Sequence, residues 1–501
     1  MKTGNPRAGL STSLGLIIVC ILLFGVVAGC TTLTEESPEG MPIPETEETA
    51  VSGEASEEVP GEVPGEASEE DTPGVDWEQR FIEAVRSGDI DLALTLYESS
   101  GAGDPLLLGS LLMASGRVAR AENMFTQVTA QEEGADRVEA LFNLGMIALT
   151  RNDLPRAEEF FMDTVEQEPA HSQALSGLGV IALDRGNTAI AMDLFTRSLE
   201  SDPENVQALL GRAQLWMERE QFTRAAGDYS AALAIMPEAG EVYGLRARAR
   251  ALDGGFSGAL EDYNRAVSLA PENPWNLLDR GRLLLRAGRF EESLEDFTAL
   301  LEMNDGFDLA LVYRAQAFDS MGNTEAALED YRRILELQPD YTEVYAPAGV
   351  AYFKTNQFDE AGRLFVRAAE QPNGRKELLL LAALSGYYQA YQGEQRDARG
   401  VQQTNRRLEE WAARFDREGL FYAIVRYFLS PGYDGAVIQA VQGHTKPLER
   451  AQGQVYLGAF FLLEGKTATA LALLSEIGET VLAGLPEGRL AQWLVHEYTN
   501  E

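Results

Sequence analysis

The chain has 501 residues, 45% of them hydrophobic, and a formal net charge of −38. Self-repulsion of that size argues against nucleic acid and anionic lipid as direct partners. Its only cysteines, Cys20 and Cys30, both lie near the N-terminus, so the remainder has no disulfide framework.

Residues 1–29 open with Lys2 and Arg7 and run into an unbroken apolar stretch from Leu14 to Ala28. This is shorter than the roughly 20 residues a helix needs to span a bilayer and fits the apolar region of a secretory signal. The stretch ends Val27-Ala28-Gly29-Cys30. That ending resembles the bacterial lipobox, in which small residues admit the peptidase and the cysteine thiol is acylated to become the new N-terminus. The resemblance implies a lipoprotein attached to the membrane only through lipid on Cys30. The other readings are an uncleaved anchor, or an ordinary signal in which Cys30 is incidental. Residue 31 is Thr; the Asp that resembles an inner-membrane retention signal is missing. This favours the outer membrane of a bacterial cell envelope, at its periplasmic face or its surface.

Residues 30–76 read as a tether. Positions 31–76 hold fifteen Asp or Glu, six prolines and no Lys or Arg, and GEASEE occurs at 53–58 and again at 65–70. Low hydrophobicity with high charge cannot support a core. As a flexible coil the segment reaches about 35–40 Å; an acidic segment that binds cations or a basic partner is the second reading. Residues 77–501 then carry 39 basic and 64 acidic residues, a formal charge of −25.

Residues 77–137 are expected to form two degenerate helix pairs: Trp77 to Arg86 with Asp91 to Tyr97, and Pro105 to Ala114 with Val118 to Val128. Gly109, Ala121 and Phe125 carry a spacing of twelve and then four that becomes regular further on.

Across residues 138–375 a 34-residue unit repeats seven times without a gap. Position 8 is small: Gly145, Gly179, Ala213, Ala247, Gly281, Ala315 and Gly349. Position 20 is small again, from Ala157 to Ala361, and position 24 is always aromatic, from Phe161 to Phe365. Pro169, Pro203, Pro237, Pro271 and Pro339 share one phase. Two short helices packed through small residues, with an aromatic beside the contact, satisfy this spacing. Gly186, Gly254, Gly288 and Gly322 mark the turn between them, with Asn152 and Asn356 as the usual substitutes.

The unit is similar to the tetratricopeptide repeat (TPR), with its Leu, Gly, Ala, Phe/Tyr and Pro pattern over 34 residues. The resemblance implies an all-α fold, a right-handed α-solenoid of stacked helix-turn-helix units, with first helices lining a concave groove.

One ladder stands out in the array. Position 7 is Arg in four consecutive units, Arg212, Arg246, Arg280 and Arg314. In those same units position 23 is Asp: Asp228, Asp262, Asp296 and Asp330. The other units pair Leu144 with Phe160, Leu178 with Leu194, and Ala348 with Leu364. The joint switch from apolar pair to ion pair implies contact across the helix pair or between neighbouring units. Recruitment of the arginines by a ligand is the competing reading.

By analogy with the family, positions 2, 5, 9 and 12 of each first helix face the groove. The family's carboxylate clamp has Lys at position 5 and Asn at position 9; no unit here has either. The middle of the groove instead offers Gln214, Arg248, Trp275, Arg282, Arg286 and Gln316, and the outer units offer apolar residues such as Phe142 and Val350. A peptide or protein segment, apolar at its ends and acidic or polar at its middle, would match.

Residues 376–501 lose the repeat phase but stay helical. Helices are expected at Glu377 to Tyr391, Thr404 to Arg417, Leu420 to Leu429, Leu448 to Leu463, Thr467 to Ile477 and Leu490 to Tyr498. Gly458 and Ala470 keep the spacing of twelve in one further repeat-like pair.

Catalytic parts are missing. His171, His444 and His496 are far apart in sequence, with no metal-ligand spacing around them. Gly465-Lys466-Thr467 lacks the earlier glycine of a phosphate loop, whose place Phe460 takes. The expectation is a non-enzymatic protein without metal or cofactor. It would serve as a lipid-anchored extracytoplasmic scaffold for protein–protein interaction, with cell-envelope assembly as its setting. The alternative is a solute-binding or transport-accessory lipoprotein, which an enclosed small-molecule pocket would favour over an open groove.

Overall fold

The computed structural model describes residues 77–392, 396–478, 481–482 and 484–499. The expected signal segment, Cys30 and the acidic tether fall on residues 1–76, outside the described residues. Every regular element among the described residues is helical, and these residues divide at Pro237 and Glu238 into two units.

In the first unit helices pack in successive pairs: α1 (Trp77–Ser87) with α2 (Ile90–Ser100), α3 (Pro105–Ala114) with α4 (Val118–Gln131), α5 (Ala135–Thr150) with α6 (Leu154–Gln167), α7 (Ser172–Asp184) with α8 (Thr188–Ser201), and α9 (Val206–Glu218) with α10 (Phe222–Ile235). The second unit continues with α11 (Gly240–Leu252) and α12 (Phe256–Leu269), α13 (Pro274–Arg286) and α14 (Phe290–Met303), α15 (Asp308–Ser320) and α16 (Thr324–Leu337), and α17 (Tyr345–Lys354) and α18 (Phe358–Ala369). Seven further helices follow: α19 (Leu378–Tyr391), α20 (Ala398–Ala412), α21 (Leu420–Leu429), α22 (Asp434–Gln442), α23 (Pro447–Leu463), α24 (Thr467–Ser475) and α25 (Pro486–Thr499).

The turn inside each pair needs a left-handed residue. Gly186, Gly254, Gly288 and Gly322 supply it with φ of 74°, 85°, 75° and 79°, and Asn152 and Asn356 do so at 57° and 58°. The third repeat fills the same place with Glu220 at φ 56°, a conformation its Cβ disfavours.

The small and aromatic positions form the seam of each pair. Every residue at position 20, from Ala157 to Ala361, is fully buried, and the aromatics at position 24 are buried with them. The pairing is selective. Where position 8 is Gly the aromatic is Phe: Gly145 with Phe161, Gly179 with Phe195, Gly281 with Phe297, Gly349 with Phe365. Where it is Ala the aromatic is Tyr: Ala213 with Tyr229, Ala247 with Tyr263, Ala315 with Tyr331. A Cβ on Gly281 would stand 2.6 Å from Cε1 of Phe297, and one on Gly145 would stand 2.5 Å from Phe161. The phenyl ring therefore occupies the space an Ala would need.

The ion pairs lie within single helix pairs. Each Arg guanidinium donates two hydrogen bonds to one Asp: Arg212 to Asp228 at 2.8 and 2.8 Å, Arg246 to Asp262 at 2.9 and 2.7 Å, Arg280 to Asp296 at 3.0 and 2.5 Å, Arg314 to Asp330 at 2.9 and 2.7 Å. Arg250 adds a second cation to Asp262 at 2.7 Å. The partners respond in opposite directions. Hydrogen bonding to Asp330 raises the pKa of Arg314, while burial raises Asp330 and Asp296 above the usual carboxylate range despite the arginines. Arginine is charged in any case, so the carboxylates carry the information: desolvation outweighs pairing, and the bridges specify the helix register more than they stabilise it.

The C-terminal region departs from the sequence expectation at three places. The helix expected at Thr404 to Arg417 runs instead from Ala398 to Ala412, because Asp397 caps it by accepting from the Arg399 N–H. Phe415 lies beyond its end and packs on Phe421. The last helix begins at Pro486, four residues before Leu490, proline being well suited to a first turn. Between Pro431 and Gly443 the chain forms α22, where the sequence pattern marks no helix. The second unit's repeats also end irregularly. Thr342–Val344 forms a 3-10 turn and α17 starts only at Tyr345, which leaves Pro347 in the first turn, where its missing N–H costs nothing.

Candidate functional site

Within the second unit the first helices α11, α13 and α15 lie side by side. Their position-7 arginines are consumed by the buried pairs. Two residues further on, Arg248 and Arg282 emerge on the other side of the same helices and are exposed, as is Arg286. Among the described residues neither Arg248 nor Arg286 has an acidic side chain in ion-pair contact.

Between them sits Asp279, whose side chain is largely covered. Arg282 reaches it at 3.2 Å. Tyr263, the aromatic of α12, lies close enough for its phenol and the Asp279 carboxyl to act on each other. Burial raises the Asp279 carboxyl above its ordinary range, and Arg282 and Arg248 pull it back. Burial and the negative field of Asp279 raise the Tyr263 phenol well above its usual value, so it remains a donor. Arg282 also lies over the Tyr313 ring of α15, its guanidinium carbon 5.2 Å from the centroid. Trp275, at the start of α13, is 38% exposed and meets Phe307 edge-on at 6.0 Å. Leu245 and Leu252 of α11 are exposed on the same stretch of chain.

Asn276 is the odd residue in its register. The equivalent positions are Ala140, Ala174, Ala208, Val242, Ala310 and Val344. It is 5% exposed, its Nδ2 has no hydrogen-bond partner, and Gly244 makes room for it: a Cβ there would come within 2.6 Å of Asn276 Oδ1.

Of the residues expected to line a groove, Gln214 is half-buried in the first unit. Arg248, Trp275, Arg282, Arg286 and Gln316 all belong to the second, Gln316 being half-buried on α15. Position 5 does not face solvent as expected. Phe142 is buried under His171, the cap of the next repeat's first helix, ring centroids 5.0 Å apart, and Leu278 and Val312 are buried too. A neighbouring first helix roofs this position. Nor does the last repeat of the second unit present the apolar residue expected at position 9. Val350 is fully buried, and Phe353 lies beneath Tyr388 at 4.8 Å and Trp493 at 6.3 Å.

The histidines have local roles. His171 Nδ1 accepts from the Ala174 N–H and caps α7; burial lowers its pKa. His444 contacts Glu449 at 2.8 Å. Lys466 of the Gly-Lys-Thr sequence pairs with Asp434 at 2.8 Å, at the turn between two helices.

Residues 106–171, 162–206, 176–239 and 278–342 match one tetratricopeptide repeat family description, and residues 320–384 match a second of the same name. No curated protein matches the chain. Solved structures resemble parts of it. YrrB, described as a TPR protein with an unusual peptide-binding site, is 22% identical with a TM-score of 0.35, the match covering 37% of this chain and 95% of that one. A tetratricopeptide repeat protein from Parabacteroides merdae is 23% identical with a TM-score of 0.37, covering 49% and 98%. PilF of Pseudomonas aeruginosa is 17% identical with a TM-score of 0.36, covering 42% and 95%.

Proposed function

We propose that this chain, which contains tetratricopeptide repeats, is a non-enzymatic scaffold that binds a protein or peptide segment on the face formed by α11, α13 and α15. The observation that carries this reading is the exposed cationic and aromatic face of those helices in a chain whose net charge is −38. Arg248, Arg282 and Arg286 would take acidic side chains of the partner. Trp275, Leu245 and Leu252 would take an apolar residue beside them, since such a mixed surface binds through a few aromatic and arginine anchors.

The finer setting is part of the same proposal. Cys30 would be acylated, residues 31–76 would act as the tether, and the scaffold would work in a bacterial cell envelope, at the outer membrane more readily than the inner. The lipobox-like ending at Cys30 and the acidic, proline-rich segment after it support this. Incorporation of labelled palmitate that Cys30→Ala abolishes is the expected result for the anchor.

For the interaction, affinity capture from native envelope extract with the full chain is compared with Arg248→Glu/Arg282→Glu. A protein retained by the wild type and lost from the variant, with circular dichroism unchanged, is expected. Equal retention by both removes the α11–α13–α15 face from the account.

A further inference from the structure

A second feature of the second unit lies where α25 returns to the repeats. Arg489 of α25 donates to Asp319, at the end of α15, across 170 residues of sequence at 3.2 Å, and reaches the Tyr331 hydroxyl at 3.4 Å. Lys354, at the end of α17, donates to the other Asp319 oxygen at 2.8 Å. The side chains of Asp319 and Lys354 are 3% and 7% exposed and that of Arg489 is 24% exposed. Above this triad opens a cleft of about 930 Å³, with Trp493 on its wall and Asn356 and Gln492 exposed at its mouth. Tying α25 down would need the ion pairs but not the open volume above them.

We propose that this cleft is a binding site for a neutral saccharide. The charges decide the class. Two cations and one carboxylate form the floor, and Glu325 and Glu497 stand exposed at the rim, so an anion would meet acids on entry. The floor nevertheless keeps directional capacity. Lys354 uses one of three N–H donors on Asp319, and Arg489 uses one of its two Nη groups, which leaves fixed donors, while Asp319, Glu325 and Glu497 together outnumber the two cations of the lining. Adjacent hydroxyls, each able to donate and accept, match such a mixture of donors and acceptors, and the C–H face of a sugar ring matches the Trp493 indole. The site is separate from the α11–α13–α15 face and does not depend on it.

The test uses the full chain. Binding to an array of neutral oligosaccharides is followed by calorimetric titration with any sugar retained. The expected result is saturable binding, weakened about tenfold by Gln492→Ala through loss of one or two hydrogen bonds and abolished by Gln492→Arg, which fills the mouth. Gln492 is exposed, so both variants should melt with the wild type; Arg248→Glu/Arg282→Glu should leave sugar binding unchanged. Retention of no neutral sugar overturns the proposal, as does binding indifferent to both Gln492 variants. So does a melting shift with inorganic phosphate or acetate that no sugar reproduces, which would make the cleft an anion site.

Discussion

The same helix position has two fates within the second unit. At position 9, Arg248 and Arg282 stand in solvent, whereas Val350, three and two repeats further on, is 0% exposed in the core shared with the C-terminal helices. Backbone placement is shared, so residue chemistry decides. Burying Phe353 under Trp493 and Tyr388, and Val350 in the same core, gains about 1.5–3 kcal/mol for each side chain, while burying an unpaired guanidinium would cost several. The chain closes over its own repeats where they are apolar and leaves them open where they are basic. The closed part yields a clefted, self-contained cap; the open part is left for another molecule.

The comparison can be broken most severely by exchanging the two chemistries. Val350→Arg puts an unpaired charge into the core that α17 shares with α25 and should cost on the order of 4 kcal/mol, measured by chemical denaturation, with faster amide exchange in 486–499. A wild-type-like stability would mean that Val350 is not what holds the cap.

Nearly as large an effect should separate two arginines on one helix. Arg280→Leu leaves buried Asp296 without its partner and should cost about 3–5 kcal/mol; Arg286→Leu, on the same helix but exposed and without an acidic partner among the described residues, should stay within about 0.5 kcal/mol. The double change Arg280→Leu/Asp296→Leu should recover most of the loss, since Leu144 and Phe160 already occupy these positions in another repeat. It should also alter the pH profile. Burial raises the folded-state pKa of Asp296 and Asp330, so the folded chain holds those protons more tightly than the unfolded one. Their contribution to stability is greatest at low pH and is lost as pH rises from about 3.9 through each folded pKa. The Leu/Leu variant should flatten that slope.

Smaller changes test the seam common to open and closed repeats. Gly281→Ala should cost about 1–3 kcal/mol, because its Cβ meets the Phe297 ring. Adding Phe297→Tyr should lose less than the sum of the single changes, because Ala and Tyr occur together in three other repeats. The smallest effect is a gain. Glu220→Gly relieves a left-handed non-glycine residue and should stabilise by a few tenths to about 1 kcal/mol in the same denaturation assay.

Much of the fold was legible because each repeat states the same local rule. Small residues twelve apart, an aromatic four later and a glycine turn require only neighbouring helices to interpret. The Gly–Phe and Ala–Tyr pairing was equally visible along the chain, but its cause is a ring lying on a glycine, which spacing alone does not reveal. Burial at position 5 is not legible along one repeat because it comes from the approach of the next first helix, at whose cap His171 covers Phe142. The cleft was out of reach, since it exists only when Arg489 meets Asp319 from 170 residues away. Nor did any pattern mark Asn276, whose significance lies in an unpaired Nδ2 beside a glycine.

The central claim is that the α11–α13–α15 face is the interaction surface. Amide exchange of the full chain, alone and with its captured partner, tests it most directly. Protection concentrated in 240–320 and absent from Arg248→Glu/Arg282→Glu is the predicted result. Protection confined to the C-terminal helices or to the second helices of the repeats would contradict it.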